Sequence, residues 1–269
     1  MRRTPAYADP PRPSGHPGLS RWRGAAAVLA HPLPGVTWAA GLRRRALPGL
    51  SGLGSPASVA LTFDDGPDPV STPQLLALLD RLQVRATFFL LGGMAELTPG
   101  LTRDVVDAGH ELGLHGWHHR NSLRVRPRSL LDGLHRAVDV LGELTGRRPT
   151  WYRPPYGVVT AGTLAASGHL GLPTVLWSAW GRDWAPTATP SSVLRTLRPD
   201  VGPGATVLLH DSDCTSTPGS WRATLGAVEP LVDLLRSRGL RVGPLAAHGV
   251  HGGAGRRPEL AAAWRPPAG

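Results

Sequence analysis

The sequence predicts an α/β fold in which parallel strands curve into a barrel, and three observations carry that expectation. Short apolar runs alternate with helix-periodic segments over roughly 190 residues, the pattern of strands joined by helical crossovers. The chain has 269 residues and is 41% hydrophobic, which suffices for one barrel-sized domain around a single core. The apolar runs end, one after another, in acids, histidines or an arginine, and a parallel barrel opens all its strand ends on one face.

The elements follow in order. Residues 59–63 are an apolar run that stops at Asp64-Asp65-Gly66-Pro67, read as a buried strand entering a tight turn. Thr72-Pro73 reads as an N-cap and first helical residue, ahead of a stripe of Leu75, Leu76, Leu78, Leu79 and Leu82. A second strand at 86–91 ends at Gly92-Gly93, a helix is expected around 100–108, and a strand at 111–114 stops at His115. The helix at 129–145 rests on Leu130, Leu134, Val138 and Leu141 at three- and four-residue spacing. A short strand at 151–153 runs into Pro154-Pro155-Tyr156-Gly157, and a helix at 160–166 and a strand at 172–177 follow. Then come a helix at 191–197 with Ser191 near its cap, a strand at 206–209 stopping at His210-Asp211, a helix at 223–238 and a last strand at 240–242.

Composition bounds the ends. With 34 Gly and 28 Pro, loops are many and the termini are expected to pack poorly. Residues 1–54 read as a basic, partly disordered Pro/Arg-rich extension, 55–248 as the folded domain and 249–269 as a flexible tail. All 29 basic residues are arginine, and residues 1–50 hold eight of them against the single acid Asp9. Most of the net charge of +10 therefore lies in the extension, not on a nucleic-acid-reading surface. Such an extension suits weak contact with an anionic membrane or wall polymer. Within it, residues 22–50 read first as a helical arm packed on the barrel. The second reading is an amphipathic surface anchor using Trp22, Trp38, Leu42 and Arg43-Arg44-Arg45. Residues 24–30 are apolar after Arg21 and Arg23 but stop at His31-Pro32, too short for a convincing signal peptide or membrane span. The chain is thus expected in the cytoplasm or associated with membrane or wall, as a monomer. The single Cys214 excludes an internal disulfide and a zinc site of paired thiolates.

The polar strand ends carry the chemistry. His115 and His119 are four apart, a spacing that reaches one metal ion from a helical or tightly turned backbone, and the intervening Gly116-Trp117-His118 is not the zincin pattern. A third ligand must come from another strand, and Asp65 is the best candidate; two imidazoles and one carboxylate leave positions open for water and substrate. Asp64 is then free to act as a base. His210 is a candidate general acid whose pKa Asp183 would raise, and Arg153 can pair with Asp64. The N–H of Tyr156 is a candidate oxyanion donor, and Trp177, Trp184 and Leu209 are candidates for an apolar wall against a small acyl methyl. One turn residue of this kind is unremarkable, whereas Asp64, Asp65, His115, Arg153, Asp183 and His210 all follow strand-like runs.

Thr62-Phe63-Asp64-Asp65-Gly66-Pro67, the 115–119 histidine pair, Arg153-Pro154-Pro155-Tyr156-Gly157, Asp183-Trp184 and Leu208-Leu209-His210-Asp211, in this order, resemble the polysaccharide deacetylases, carbohydrate esterase family four with its NodB homology domain. The resemblance spans residues 59–245. It implies a distorted (β/α) barrel of about seven parallel strands and one divalent metal, zinc first and cobalt or another ion second, held by Asp65, His115 and His119. It further implies Asp64 as base, His210 as acid, Arg153 orienting Asp64 and Asp183 tuning His210. The implied reaction removes N-acetyl groups from N-acetylglucosamine units of a peptidoglycan- or chitin-like polysaccharide or oligosaccharide. A lipid-linked amino sugar or an O-acetylated polysaccharide is the second reading and a non-catalytic carbohydrate-binding barrel the third. The chain departs from the family at Gly116, where Ser or Thr is usual and its hydroxyl steadies the turn.

Overall fold

The computed structural model describes residues 39–250. The expectations placed on residues 1–38 and 251–269, including Trp22, Trp38 and the signal-like run, lie outside the described residues. Helix α1 (Ala40–Ala46) precedes strand β1 (Ser58–Asp64). Then follow α2 (Thr72–Arg81), β2 (Thr87–Leu91), α3 (Gly92–Leu97), α4 (Pro99–Asp107), β3 (Glu111–Gly116), α5 (Pro127–Thr145), β4 (Trp151–Tyr152) and α6 (Ala161–His169). The chain closes with β5 (Ala179–Trp180), α7 (Pro190–Leu197), β6 (Thr206–His210), α8 (Trp221–Ser237) and β7 (Arg241–Gly243).

The seven strands form one sheet in the order β4-β3-β2-β1-β6-β5, with β7 paired to the start of β1, and every pairing is parallel. This is the distorted (β/α) barrel expected. All of β1 is buried because both of its faces are covered. Val59, Leu61 and Phe63 face the helices, where they meet Leu75, Leu79, Val228 and Leu231. Ala60 faces inward with Phe89, Val175 and Leu245 in a second, small cluster. Full burial of each large aliphatic side chain contributes about 1.5–3 kcal/mol, so the helix-facing layer dominates stability. Among the described residues no helix is long and apolar enough to cross a membrane.

The barrel is irregular between β4 and β5. A strand was expected at 172–177, but that stretch makes only an isolated bridge, Tyr152 to Thr174, and the strand begins at Ala179. The reason lies in where its carbonyls go. Arg153 donates through Nε to Val175 O at 3.4 Å and through Nη2 to Leu176 O at 2.8 Å. From the other side Arg43 Nη2 donates to Trp177 O at 2.6 Å and Arg44 Nη2 to Ser178 O. Four successive carbonyls are thus satisfied by guanidinium groups instead of a neighbouring strand. Arg43 is buried although positively charged; burial first, then the Arg44 charge, pushes its pKa down to about 10. The stretch from α1 to Gly54 is built into the barrel: Leu50 O accepts from Leu176 N at 2.7 Å and Gly52 O from Thr206 Oγ1 at 2.6 Å.

Local caps also differ from expectation. Thr72 is already helical, and Ser71 before it has right-handed helical φ/ψ instead of the extended cap conformation and makes no side-chain cap bond; its hydroxyl lies 2.8 Å from Asp68 Oδ1 and 2.6 Å from Asp211 O. The cap of α7 is Thr189, in a reciprocal capping box with Ser192, and not Ser191. After β2, the Gly92-Gly93 pair at which the strand ends is also the first turn of helix α3.

Candidate active site and metal centre

The strand alternation that sends Val59, Leu61 and Phe63 outward sends Thr62 and Asp64 inward. Arg153, which follows β4, fills the space they leave. Its Nη1 donates to Thr62 Oγ1 at 2.8 Å and to Asp64 Oδ1 at 2.7 Å, and its guanidinium lies 4.0 Å over the Phe89 ring. Arg153 is completely buried, and every carbonyl and carboxylate around it is an acceptor suited to a group that only donates. Burial lowers its pKa, with Asp64 opposing.

Asp65 begins the turn after β1 with φ of +83°. Its Oδ1 is buried and has no hydrogen-bond partner among the described residues. His115 Nε2 lies 3.3 Å from that oxygen and His119 Nε2 3.4 Å. Tetrahedral zinc with bonds of about 2.0–2.1 Å separates its ligand atoms by about 3.3 Å. An orphaned buried oxygen facing two imidazole nitrogens at that separation fits a metal ion, and the three ligand atoms lie within 4.8 Å of one another. The other nitrogen of His115 supports the same reading: Nδ1 contacts Arg153 O at 2.8 Å, so the proton sits there and Nε2 presents its lone pair. Burial holds His119 neutral, with its pKa down at about 4. At His115 burial opposes charge but Asp64 and Asp65 outweigh it, raising the pKa; two buried carboxylates call for positive charge at this point. Burial alone would raise Asp65, yet His115, His210 and His119 hold it below the usual carboxylate range.

His210 ends β6 directly beside Asp64, its Cα partner across the β1–β6 ladder. Asp183, buried, takes His210 Nδ1 at 2.9 Å on one oxygen and the His210 backbone N–H at 2.7 Å on the other, which also accepts from Thr224 Oγ1 at 2.6 Å. Burial pushes the His210 pKa down, but Asp183 more than reverses this and, with Asp65 and Asp64, lifts it to about 10.

The remaining sequence-predicted residues separate. Tyr156 takes φ of +60° in the turn after Arg153, and its exposed ring packs 4.3 Å from the His119 ring. Trp177 borders the same turn: a Cβ on Gly157 would sit 2.6 Å from its ring. Trp184 is exposed and stacks on Trp180 at 6.1 Å. Leu209 does not line the site. It pairs with Phe63 and is buried in the helix-facing core, so it cannot wall an acyl methyl; Leu208, paired with Thr62, shares the inward face with Asp64 and His210. Asp211 and Thr215 contact the Asp65 turn: Asp211 closes the Leu208-Leu209-His210-Asp211 motif without a role being legible there, and nothing in the Ser-Asp-Cys-Thr-Ser-Thr stretch at 212–217 marks Thr215.

Gly116 takes φ of +112°, which a side chain rarely adopts. The turn is held without a hydroxyl there: Gly93 N donates to Trp117 O at 3.0 Å, and Arg136 lies 3.8 Å over the Trp117 ring.

Fold and site together define the class as a hydrolase built on a parallel barrel with a metal-capable Asp-His-His cluster in its mouth. Comparison with known proteins supplies the family. Residues 52–175 match the polysaccharide deacetylase family, and the chain belongs to it and is a deacetylase. It is 38% identical over 199 residues to a chitooligosaccharide deacetylase of Bradyrhizobium sp. (strain ANU 289), covering 70% of this chain and 89% of that one. It is 32% identical over 192 residues to a peptidoglycan-N-acetylglucosamine deacetylase of Bacillus cereus, covering 71% and 68%. Among solved structures, a family 4 carbohydrate esterase from Streptomyces lividans superimposes with a TM-score of 0.63 at 30% identity, covering 70% of this chain and 93% of that one.

Proposed function

We propose that this protein hydrolyses N-acetyl groups of N-acetylglucosamine residues in a peptidoglycan- or chitin-like glycan, releasing acetate and leaving the free amine. The observation that carries the reading is the pairing of Asp64 with His210 across one ladder beside the Asp65-His115-His119 cluster. An Arg-braced carboxylate and an Asp-held imidazole thus flank a place for one metal ion.

A zinc or other divalent ion held by Asp65, His115 and His119 would polarise the acetyl carbonyl and acidify water. Asp64, fixed by Arg153 through Oδ1, keeps Oδ2 to take the proton of the attacking water. The Tyr156 N–H donates to the developing oxyanion. His210, kept protonated by Asp183, gives its Nε2 proton to the sugar nitrogen as the carbon–nitrogen bond breaks. The carbonyl carbon gains the water oxygen and loses the nitrogen, and the proton taken by Asp64 balances the one given by His210. Leu208 on the inward face and Trp177 beside the Tyr156 turn supply apolar surface near these groups.

The test is acetate release from N-acetylated chitooligosaccharides, peptidoglycan and O-acetylated xylan, for wild type, Asp64→Asn and His210→Ala. Release from one of the two N-acetylated substrates, lost in both variants with the fold intact, is the expected result. Release from xylan alone, or near-wild-type release in either variant, would overturn the assignment.

A further inference from the structure

Asp65 combines two demands. Its backbone sits in the left-handed region, which strains a residue bearing a Cβ and persists only where neighbours over-determine it. Its carboxylate must also present one chosen oxygen, although the terminal carboxylate torsion is soft and roughly two-fold. The first demand is met by the chain leaving β6. Asp211 N donates to Asp64 O at 3.2 Å, Asp211 Oδ1 accepts from Gly66 N at 3.0 Å, and the Cys214 thiol approaches Asp65 O at 3.5 Å. None of these touches the carboxylate.

Thr215 does. Its hydroxyl donates to Asp65 Oδ2 at 2.7 Å, while Oδ1 remains without a hydrogen-bond partner and faces both imidazoles. We propose that Thr215 is a positioning residue of the metal centre: its hydroxyl occupies Asp65 Oδ2 and leaves Oδ1 as the single carboxylate atom offered to the ion. This rests on the metal-centre reading above and adds a residue to it. The physical cause is the acceptor-only character of an ionised carboxylate. One oxygen given a strong donor stops the torsion from exchanging the two, and the metal meets a pre-oriented ligand. Thr215 is exposed and lies outside the apolar core, so its replacement by the near-isosteric valine leaves the packing intact.

The experiment uses the full chain stripped of metal and titrated with Zn2+ against a chelator of known affinity, for wild type, Thr215→Val and Thr215→Ser. Thr215→Val is expected to weaken zinc binding by about ten- to a hundredfold, with the serine hydroxyl restoring it and the metal-free melting temperature equal in all three. Valine binding as tightly as wild type, serine binding as weakly as valine, or a lowered metal-free melting temperature in the valine variant would overturn the role. His119→Ala in the same titration separates the two ideas. If it weakens binding and Thr215→Val does not, only the Thr215 role fails. If wild type and His119→Ala bind alike, the metal centre fails with it.

Discussion

Arg153 and His115 are linked through the Arg153 carbonyl, which meets His115 Nδ1 at 2.8 Å, while the Arg153 guanidinium holds Asp64 at 2.7 Å. One residue thus fixes the tautomer of a candidate metal ligand with its backbone and the orientation of the candidate base with its side chain. The two tasks are separable, because substitution of the side chain leaves the carbonyl in place.

Arg153→Lys should therefore leave metal affinity near wild type and depress kcat. Lysine lacks the fork that reaches Thr62, Asp64 and Leu176 together. Arg153→Met should cost stability of about 3–5 kcal/mol, since it leaves Asp64 buried without its cationic partner. Chelator competition, steady-state kinetics and urea unfolding read the three quantities.

Asp183→Asn should shift the alkaline limb of kcat/KM toward lower pH. Burial favours neutral His210, and Asp183 is the largest influence raising its pKa to about 10. Without that charge the proton leaves earlier as pH rises. A pH–rate profile whose alkaline limb stays in place would contradict the role given to Asp183.

His110 should make the fold acid-sensitive. It is buried, its Nδ1 accepts from Ala86 N at 3.1 Å, and burial first, then Arg85, pushes its pKa down to about 3. A folded-state pKa below the unfolded value of about 6.5 means the unfolded chain binds the proton first. Its contribution is complete above about pH 6.5 and declines as pH falls toward 3. His110→Leu should cost about 1–3 kcal/mol at neutral pH, by stranding the Ala86 N–H, and should flatten the acid decline. Unfolding at pH 7, 5 and 4 compares the slopes.

Gly116→Ser, although it installs the hydroxyl usual in the family, should weaken the site. At φ of +112° any side chain is strained, and a Cβ would lie 3.3 Å from His118 O. A loss of about 1–3 kcal/mol in stability is expected, with reduced metal affinity. Improved affinity would show that the turn relaxes around the hydroxyl.

Arg43→Met should destabilise the barrel by about 1–3 kcal/mol for each acceptor it strands, Trp177 O and Ser51 Oγ among them. Arg45→Ala, at an exposed position of the same helix, should stay within about 0.5 kcal/mol. Equal effects of the two would mean that the cluster acts through net charge instead of through the carbonyls at the barrel seam.

The sequence by itself determined the barrel and the residues of its mouth, because both are written in short-range patterns. Apolar runs ending at Asp64, His115, Arg153 and His210 declare strand ends, and parallel topology brings strand ends to one face. Tertiary structure decided what depends on register and on distant partners. Leu208 and Leu209 are both apolar, and only the pairing of Leu208 with Thr62 and Leu209 with Phe63 says which faces inward. Arg43 meets Trp177 across 134 positions and Thr215 meets Asp65 across 150, so no local pattern marks either. A residue whose role lies in a hydrogen bond to a remote segment has no periodicity to betray it, and the fold alone brings the two ends together.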